Sequence, residues 1–445
     1  MINEKFFVNQ NGVLSTESVH YYNNIIEYAN RYNLNNTIIA VDLAADLHNG
    51  TYRDGGAPYI IHPLETTNYL ILLDVRTSIF DMNESYLHDK NLTEKQTNLE
   101  LDILLSSMLL HDTLEDCKAK LPEGEKEFTE KYNLHPDILK FVLILTKDKT
   151  APGYTLDGYY QQIESYWQTL IMKVVDRASN CSTINAFDAK RMEKYVRETT
   201  NYFYPMISKG KNMYPDFSRI FTIMKYLIVS ICETVSSVLE LKGLITESYY
   251  EKTYFFVKGF AIGKDSMQNT LKALPLAKEY YKNFTRKSGD AFIIHPLRVC
   301  SYLIALKIDD DCICASALLH EIIKKCNLEY NGIELLTKYH LDPVVLDYIR
   351  LLSNSEKYPL HLYYEALSQR PEVLILKLSN RAHTCTTLIN SSDEEIRTYV
   401  DECEKYIYPL CEYGIVHYPK YSSQIQVMYY QIHSLCNIVR SLRLS

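Results

Sequence analysis

The sequence has few of the features that mark secreted, membrane-spanning or disulfide-stabilised proteins. Its eleven cysteines include no Cys-x-x-Cys pair, and their odd number is typical of free thiols in a reducing compartment. The first ten residues, MINEKFFVNQ, contain no long apolar core before a cleavage site, so we expect no secretion signal. The longest apolar run, around Tyr226 to Cys232, is too short to cross a bilayer. These absences predict a cytoplasmic protein without a membrane span.

Glycine and proline are also scarce, at 14 residues each, and no low-complexity linker interrupts the 445 residues. Hydrophobic residues make up 47% of the chain and charged residues 23%, which is typical of a globular protein with enough apolar side chains for a core. The formal net charge of -8 argues against broad binding to nucleic acid or to anionic membranes. It leaves room for a local basic pocket that binds a phosphorylated small molecule.

Several motifs occur twice in the same order, and this predicts an internal duplication. The pairs are PYIIHPL and AFIIHPL at 58–64 and 291–297, SSMLLHD and ASALLHE at 106–112 and 315–321, and MKVVDRASNCST and LKLSNRAHTCTT at 172–183 and 376–387. The first copy has extra polar residues over roughly 76–100, which we interpret as a surface insertion. We predict one domain over 1–243 and a second over 244–445.

Apolar residues recur with helical spacing along most of the chain. The clearest segments are 18–32, 102–115, 218–242 and 422–442. Short apolar runs such as LIMKVVD at 170–176 resemble strands, but no alternating hairpin pattern supports a sheet. We therefore predict an all-α fold of two tandem helical bundles.

The first copy carries ionisable side chains within an apolar helical pattern. His111 and Asp112 follow the apolar run 108–110, and burying such groups costs on the order of several kcal/mol unless they are paired. Adjacent side chains of a helix point in different directions, so His111 and Asp112 act together only if both contact one shared partner. A metal ion is such a partner. With His62 and Asp176 they form two imidazoles and two carboxylates, a set suited to Mn²⁺, Zn²⁺ or Fe²⁺.

Glu115 and Asp116 follow Asp112 by one helical turn, on the same predicted face. From there they can position or deprotonate an attacking water. Each residue alone has an ordinary structural explanation, since a histidine beside proline usually caps or packs and an Asp176-Arg177 pair is more often a salt bridge. The ordered set of His, then HDxxED, then DRxxN favours a metal-dependent site.

These motifs resemble those of the HD-domain hydrolases of the RelA/SpoT type, which remove the 3′-pyrophosphate from the alarmone (p)ppGpp. The resemblance covers roughly residues 36 to 215 and rests on HNGTYRDGGAPYIIHPLE, LLHDTLED, LTK, MKVVDRASNCST and YVRETTNYFYP. It implies that the two bundles are HD domains and that the metal is Mn²⁺. It also implies that the products are GDP or GTP and pyrophosphate.

The resemblance implies three groups of site residues in the first copy. The metal ligands are His62, His111, Asp112 and Asp176. The catalytic pair that acts on the attacking water is Glu115 and Asp116. The nucleotide-binding residues are Arg53, which lies against the guanine base, and Asn180 and Thr183, with His48 at the position of a family histidine. Lys147 is a further candidate for nucleotide binding, as a lysine that can contact phosphate.

One departure from the family pattern follows Arg53. The family reads Arg-Lys-Ser-Gly where this chain has Arg53-Asp54-Gly55-Gly56, so a lysine that contacts phosphate is missing. If Asp54 points inward, its charge repels the phosphates. Lys147 and Lys173 are the lysines that can compensate, although each is by default a solvated or helix-end lysine. The nucleotide therefore stays open, with a ppApp-type alarmone and NADPH as the alternatives to (p)ppGpp.

The second copy departs from the first where the reaction needs negative charge. Glu115-Asp116 becomes Lys324-Lys325, and Asp176 becomes Asn380. Lysines repel a divalent cation and an asparagine is a weak ligand, so we predict a degenerate, inactive domain. Its role is either packing or the binding of an anion. The residues available for an anion site are Arg286, Lys287, Lys324 and Lys325.

The expected partner of the chain is a nucleotide substrate, without nucleic acid or membrane. No synthetase domain accompanies the two copies, so we expect a degrading enzyme. Because some small hydrolases of this kind neutralise toxic alarmone synthetases, such a synthetase is a candidate protein partner. The alternative from another class is a non-catalytic nucleotide sensor or scaffold that acts through the second copy. The oligomeric state stays open.

Overall fold

The computed structural model describes residues 4–241, 249–326, 338–353 and 358–444. Over these residues the chain forms helices and no strand, which confirms the predicted all-α fold. Backbone contacts divide the chain into two compact units, Met1–Ile228 and Val229–Ser445. The domain boundary predicted at 243 lies outside the described residues. The internal duplication stays a prediction.

The first unit is built from α-helices that follow one another through short turns. They are α1 (Thr16–Tyr32), α2 (Asn35–Leu47), α3 (Ile61–Leu72), α4 (Val75–Leu87), α5 (Lys90–Leu110), α6 (Thr113–Asp116), α7 (Glu127–Glu130), α8 (Pro136–Leu145), α9 (Leu156–Ile163), α10 (Trp167–Ser182), α11 (Ala189–Glu198), α12 (Tyr204–Met213) and the first half of α13 (Ser218–Val238). The 3₁₀ turns are Glu4–Phe7, Lys118–Lys120, Gly124–Lys126, Ile184–Ala186 and Pro215–Phe217, and a π-helix is Thr199–Phe203.

Helix α5 lies at the centre of the first unit, where α2, α3, α4 and α8 pack on it. All residues from Leu101 to Leu110 are buried, as expected for a helix surrounded by other helices. The Asp102 carboxylate accepts hydrogen bonds from the backbone N–H groups of Asn36 (3.0 Å) and Thr37 (2.7 Å). These donors at the start of α2 have no partner within their own helix, so Asp102 fixes α2 against α5.

The polar stretch at 76–100 is helical and forms most of α4 and the first half of α5, which pack against each other. His88 ends α4 with a φ of 50°, and the Asp89 side chain caps α5 by accepting a hydrogen bond from the Leu92 N–H (2.9 Å). Ile79 and Thr97 are fully buried. The interpretation of this stretch as a surface insertion did not foresee that one face of each helix, which includes Ile79 and Thr97, is buried.

The predicted helix at 102–115 is interrupted, because α5 ends at Leu110 and α6 begins at Thr113. The Thr113 hydroxyl donates to the Leu110 carbonyl at 2.6 Å. Such a side-chain bond competes with the helical backbone ladder. His111 and Asp112 therefore lie in the turn between two helices.

The second unit contains the rest of α13 and eleven further α-helices among the described residues. They are α14 (Tyr249–Ile262), α15 (Gln268–Tyr281), α16 (Ile294–Ala305), α17 (Asp311–Leu319), α18 (Ile322–Lys325), α19 (Pro343–Ser353), α20 (Leu360–Ser368), α21 (Pro371–Cys385), α22 (Asp393–Glu402), α23 (Tyr408–His417) and α24 (Ser422–Arg443). The 3₁₀ turns are Leu388–Asn390 and Pro419–Tyr421, and a π-helix is Cys403–Ile407. In both units the IIHPL motif begins a helix of 12 residues.

One helix, Pro215–Val238 with its leading turn, is long and apolar enough to cross a membrane by length and composition. It is longer than the apolar run seen in the sequence, because polar residues such as Lys225 and Ser230 lie within it. Of its apolar window, 72% is buried inside the protein. A core helix has the same properties, so the helix is weak evidence for a membrane span.

Candidate functional site

The four side chains predicted to bind metal come from three separate segments and meet in the first unit. His62 lies on α3, His111 and Asp112 lie in the turn after α5, and Asp176 lies on α10. His62, His111 and Asp176 are buried, and one ligand atom from each lies within 4.8 Å of the others. The Asp112 carboxylate adjoins both histidines, 3.1 Å from His111 Nε2 and 3.6 Å from His62 Nε2.

The neighbours of His111 determine its tautomer. Its Nδ1 lies 2.7 Å from the carbonyl oxygen of Met108, which only accepts, so Nδ1 carries the proton. Its Nε2 lone pair then faces Asp112 at 3.1 Å and Asp176 at 3.7 Å, without hydrogen-bond geometry to either. A buried lone pair that faces carboxylate oxygens is unfavourable unless a metal ion or a proton lies between them. Burial lowers the pKa of His111, but the two carboxylates outweigh burial and raise it to about 10.

His62 is oriented by a chain of two hydrogen bonds. The Ser179 hydroxyl donates to the Glu65 carboxylate at 2.5 Å, so its oxygen accepts the proton of His62 Nδ1 at 3.1 Å. The Nε2 of His62 therefore also presents a lone pair, 3.2 Å from Asp176 Oδ1. Hydrogen bonds of this kind commonly orient histidines that bind metals. The roles of Ser179 and Glu65 were missed, although both residues lie within the motifs that carry the resemblance.

Asp176 receives further positive charge from its own helix. Lys173 Nζ lies 3.0 Å from Oδ2, and the Asn180 amide donates to Oδ1 at 2.5 Å. Burial raises the pKa of Asp176, but Lys173 and the two histidines hold it well below its ordinary value. The expectation of a solvated Lys173 is wrong, since only 15% of this side chain is exposed.

Glu115 and Asp116 lie on α6, directly after the ligand turn. The Glu115 carboxylate accepts a hydrogen bond from the backbone N–H of Lys147, a partner that motif comparison did not identify. Burial raises the pKa of both carboxyls. A carboxylate with a raised pKa is a stronger base at neutral pH. The Tyr59 hydroxyl, also missed, donates to Asp112 Oδ2 at 3.0 Å.

Three of the residues predicted to bind nucleotide contact one another beside the metal ligands. The Arg53 guanidinium donates to Asn180 Oδ1 (3.0 Å) and to Thr183 Oγ1 (3.2 Å). Since Asn180 also donates to Asp176, a continuous set of hydrogen bonds joins Arg53 to the ligand set. The geometry therefore connects a candidate base-binding residue to the candidate metal centre.

The other two residues predicted to bind nucleotide, His48 and Lys147, differ in charge and in the contacts that they make. His48 stacks on Tyr59 with ring centroids 4.8 Å apart, and burial lowers its pKa to about 4, so its ring is neutral. Lys147 Nζ instead lies 3.4 Å from Glu198. The same Glu198 oxygen accepts a hydrogen bond from buried Arg177 at 2.9 Å. The Lys147 ammonium is therefore engaged in an ion-pair network.

Asp54 forms an ion pair with Arg191 at 2.8 Å, and both side chains are more than half exposed. In the second unit, Lys287 and Glu395 form a pair at the matching motif positions with the charges exchanged. The Asp54 charge is thus balanced by Arg191. The departure from the family pattern is accompanied by its own counter-charge.

The matching part of the second unit brings three histidines together. His295 Nε2 lies 3.0 Å from His320 Nε2, and His295 Nδ1 lies 2.7 Å from His383 Nδ1. Burial lowers the pKa of all three, so the rings are neutral. Asn380 stands at the position of Asp176 in the duplicated motif. This arrangement lacks the carboxylate that links the two histidines of the first unit.

No known protein-family profile matches the chain. The chain is similar to a guanosine-3′,5′-bis(diphosphate) 3′-pyrophosphohydrolase of Borreliella burgdorferi, with 22% identity over 271 residues, 58% of this chain and 35% of that protein. It is also similar to the bifunctional (p)ppGpp synthase/hydrolase SpoT of Escherichia coli, with 26% identity over 35% of this chain and 23% of that protein. A GTP pyrophosphokinase of Streptomyces coelicolor is 28% identical over 38% of this chain and 17% of that protein. The matching region spans about a third or less of each relative.

Proposed function

Because the chain belongs to the family of RelA/SpoT-type (p)ppGpp hydrolases, we propose that its first unit removes the 3′-pyrophosphate of (p)ppGpp. The products are GDP or GTP and pyrophosphate. The observation that carries this proposal is the pair of buried histidine lone pairs that face Asp112 and Asp176, with Glu115 and Asp116 on the adjoining helix.

The donor set suits a divalent cation, for which we propose Mn²⁺. His62, His111, Asp112 and Asp176 would hold it through two imidazole nitrogens and carboxylate oxygens. The absence of hydrogen-bond geometry at His111 Nε2 supports this fit. A bound divalent metal polarises a phosphoryl oxygen and lowers the pKa of water.

The remaining chemistry belongs to the side chains of the first unit. Glu115, held by the Lys147 N–H, accepts the proton of the attacking water, and Asp116 orients that water. Arg53 lies against the guanine base, positioned by Asn180 and Thr183. Holding the base in this way keeps the 3′ phosphorus at the site of attack, and such positioning contributes a large part of enzymatic rate enhancement.

Pyrophosphate release from ppGpp in the presence of Mn²⁺ tests the proposal on the full chain. Asp112→Asn is expected to reduce kcat by at least ~10²-fold, because a ligand carboxylate is lost. Glu115→Gln is expected to reduce it by roughly 10²–10⁴-fold, the usual contribution of a general base. The matched control is Glu321→Gln, the same type of change at the position of Asp112 in the second copy.

Turnover that survives Asp112→Asn, or that is lost in Glu321→Gln, would place the chemistry elsewhere. Cleavage of ppApp or NADPH without cleavage of ppGpp would keep the mechanism and change the substrate. Tight nucleotide binding without turnover of any of the three would favour the non-catalytic sensor.

A further inference from the structure

The second unit contains a cavity of about 690 Å³ lined by the residues that match the first unit's site in sequence. Its charged lining consists of six basic and three acidic side chains, namely Arg286, Lys287, Lys324, Lys325, Lys377 and Arg381 with Glu321, Glu395 and Glu402. The lining thus has a surplus of three positive charges in a chain whose net charge is -8. A cavity of this size is within the usual range for small-molecule sites.

Lys377 on α21 is a buried lysine without a counter-ion in the part of the chain that the structure describes. It lines the cavity with only 8% of its surface exposed. Its ammonium lies over the rings of Tyr363 and Tyr364, 5.0 and 5.4 Å from their centroids. Among the described residues it forms neither an ion pair nor a hydrogen bond. A buried lysine in this state is stable only if it loses its proton or if an anion from outside the chain pairs with its ammonium.

The first unit shows what this lysine lacks. Lys173 occupies the matching position on α10, and its Nζ lies 3.0 Å from the Asp176 carboxylate. Asn380 replaces that carboxylate in the second unit. The nearby carboxylate of Glu402 is already bound by Arg381. The same helix position has therefore lost its internal anion while keeping its cation.

Other basic groups face the same cavity. Lys325 lies over the Phe292 ring at 5.1 Å and forms no ion pair with any residue that the structure describes. Lys324 precedes it, and the two stand where the first copy has its catalytic carboxyl pair. Arg286 lines the cavity as well and donates to the Thr387 hydroxyl. These groups present ammonium and guanidinium donors, which are the usual partners of phosphate.

We propose that this cavity binds a nucleoside polyphosphate and does not hydrolyse it. Lys377 and Lys325 pair with the phosphates, and the cavity's aromatic and apolar lining, which includes Phe292 and Tyr399, accommodates the nucleoside. Hydrolysis does not occur because lysines replace the carboxyl pair and Asn380 replaces the linking aspartate. The second unit then acts as a binding module whatever reaction the first unit catalyses.

Calorimetric titration of the full chain with GDP, in the presence of a metal chelator, tests this site. Lys377→Met is expected to weaken binding at least tenfold and to fold, since it removes an unpaired amine whose charged form is costly to bury. Asn380→Asp should weaken binding to a similar extent, because it restores the carboxylate that pairs with the lysine in the first unit. The control Lys420→Met removes the same charge from an exposed surface position and should leave binding unchanged.

The outcomes separate this site from the hydrolase site. Any GDP that binds in the first unit contributes a separate component to the titration curve, and neither substitution in the second unit alters that component. Guanosine is expected not to bind, since it lacks phosphates, and inorganic pyrophosphate is expected to compete with GDP. The proposal fails if GDP binding is absent or is the same in all variants. It also fails if guanosine binds as tightly as GDP.

Proton uptake provides a second readout. Burial lowers the pKa of Lys377 to about 7, with Arg381 acting in the same direction and Glu402, Glu321 and Cys403 opposing it. A bound phosphate stabilises the charged ammonium, so GDP binding at pH 8 should take up a fraction of a proton. Titrations in buffers of different ionisation enthalpy measure this uptake. Uptake that persists unchanged in Lys377→Met would overturn the role of this lysine.

Discussion

Lys173 and Lys377 show how one neighbouring residue changes the state of a buried lysine. Beside Asp176, the pKa of Lys173 is well above its ordinary value, although burial lowers it. Beside Asn380, burial lowers the pKa of Lys377 to about 7. The exchange of a carboxylate (Asp176) for an amide (Asn380) therefore decides the role of the neighbouring lysine. With the carboxylate the lysine forms an internal ion pair, and with the amide it can bind an external anion.

The ion pairs Asp54–Arg191 and Lys287–Glu395 occupy matching positions in the two units with their charges exchanged. Asp54→Lys restores the family's lysine but places it beside Arg191. We expect the free energy of unfolding to fall by about 0.2–1 kcal/mol, the usual value of an exposed ion pair. Chemical denaturation measures this change.

The double variant Asp54→Lys/Arg191→Glu reproduces the arrangement of the second unit and should recover the lost stability. If the double variant is destabilised as much as the sum of its single changes, the two side chains are not coupled.

Helix α12 crosses its neighbours closely at Gly210. A Cβ at this position would lie 2.8 Å from Leu170 Cδ2 on α10 and 3.2 Å from Phe221 Cζ on α13. In the second unit, a Cβ on Gly414 would lie 2.9 Å from Ile425 Cδ1. Glycine at these positions allows a helix–helix approach that alanine would not.

We therefore expect Gly210→Ala to lower the free energy of unfolding by about 1–3 kcal/mol through overpacking. The gain of about 1 kcal/mol from better helix propensity offsets part of this loss, so the net destabilisation is about 0–2 kcal/mol. Thermal or chemical unfolding measures the difference. Gly259→Ala on α14 is the matched control, because its Cβ would meet nothing within 4 Å and it should be neutral or stabilising. Equal effects of the two changes would contradict the packing argument.

The elements also show where sequence patterns succeed. Helical periodicity identified α1, α13 and α24, and the segment 170–176 lies inside α10 as the absence of hairpin patterns indicated. Helical periodicity did not predict the turn after Leu110. The helix is interrupted there because side chains form hydrogen bonds with the carbonyls of Met108 and Leu110. Apolar spacing does not record such bonds.

At the scale of the whole molecule, several buried histidines are neutral in the folded chain. Burial lowers the pKa of His48, His62, His295, His320 and His383. An unfolded histidine has a pKa near ~6.5. Below that pH the unfolded chain binds more protons than the folded chain, so acid favours unfolding.

We expect the free energy of unfolding to decrease as the pH falls from 7 towards 5, by up to about 1.4 kcal/mol per pH unit for each such histidine. Denaturation at a series of pH values measures the slope. His383→Gln should make the slope shallower, whereas His417→Gln, at an exposed position, should leave it unchanged. A slope that His383→Gln does not alter would show that this histidine is not neutral when folded.

Periodicity was sufficient to predict the helical class, because helical spacing is a local property of the sequence. Motif order pointed to His62, His111 and Asp176, which the structure brings together. Sequence comparison also predicted where the second copy loses negative charge. The roles that these positions have in the reaction remain proposals.

The tertiary structure decided which partners those side chains have. Three contacts at the site join segments far apart in sequence. They are the hydrogen bond from Ser179 to Glu65 beside His62, the hydrogen bond from the Lys147 N–H to Glu115, and the ion pair of Asp54 with Arg191. The isolation of Lys377 likewise depends on which carboxylates reach it. Hydrogen bonds and ion pairs depend on distances of a few ångströms between separate helices, and only the packed fold determines those distances.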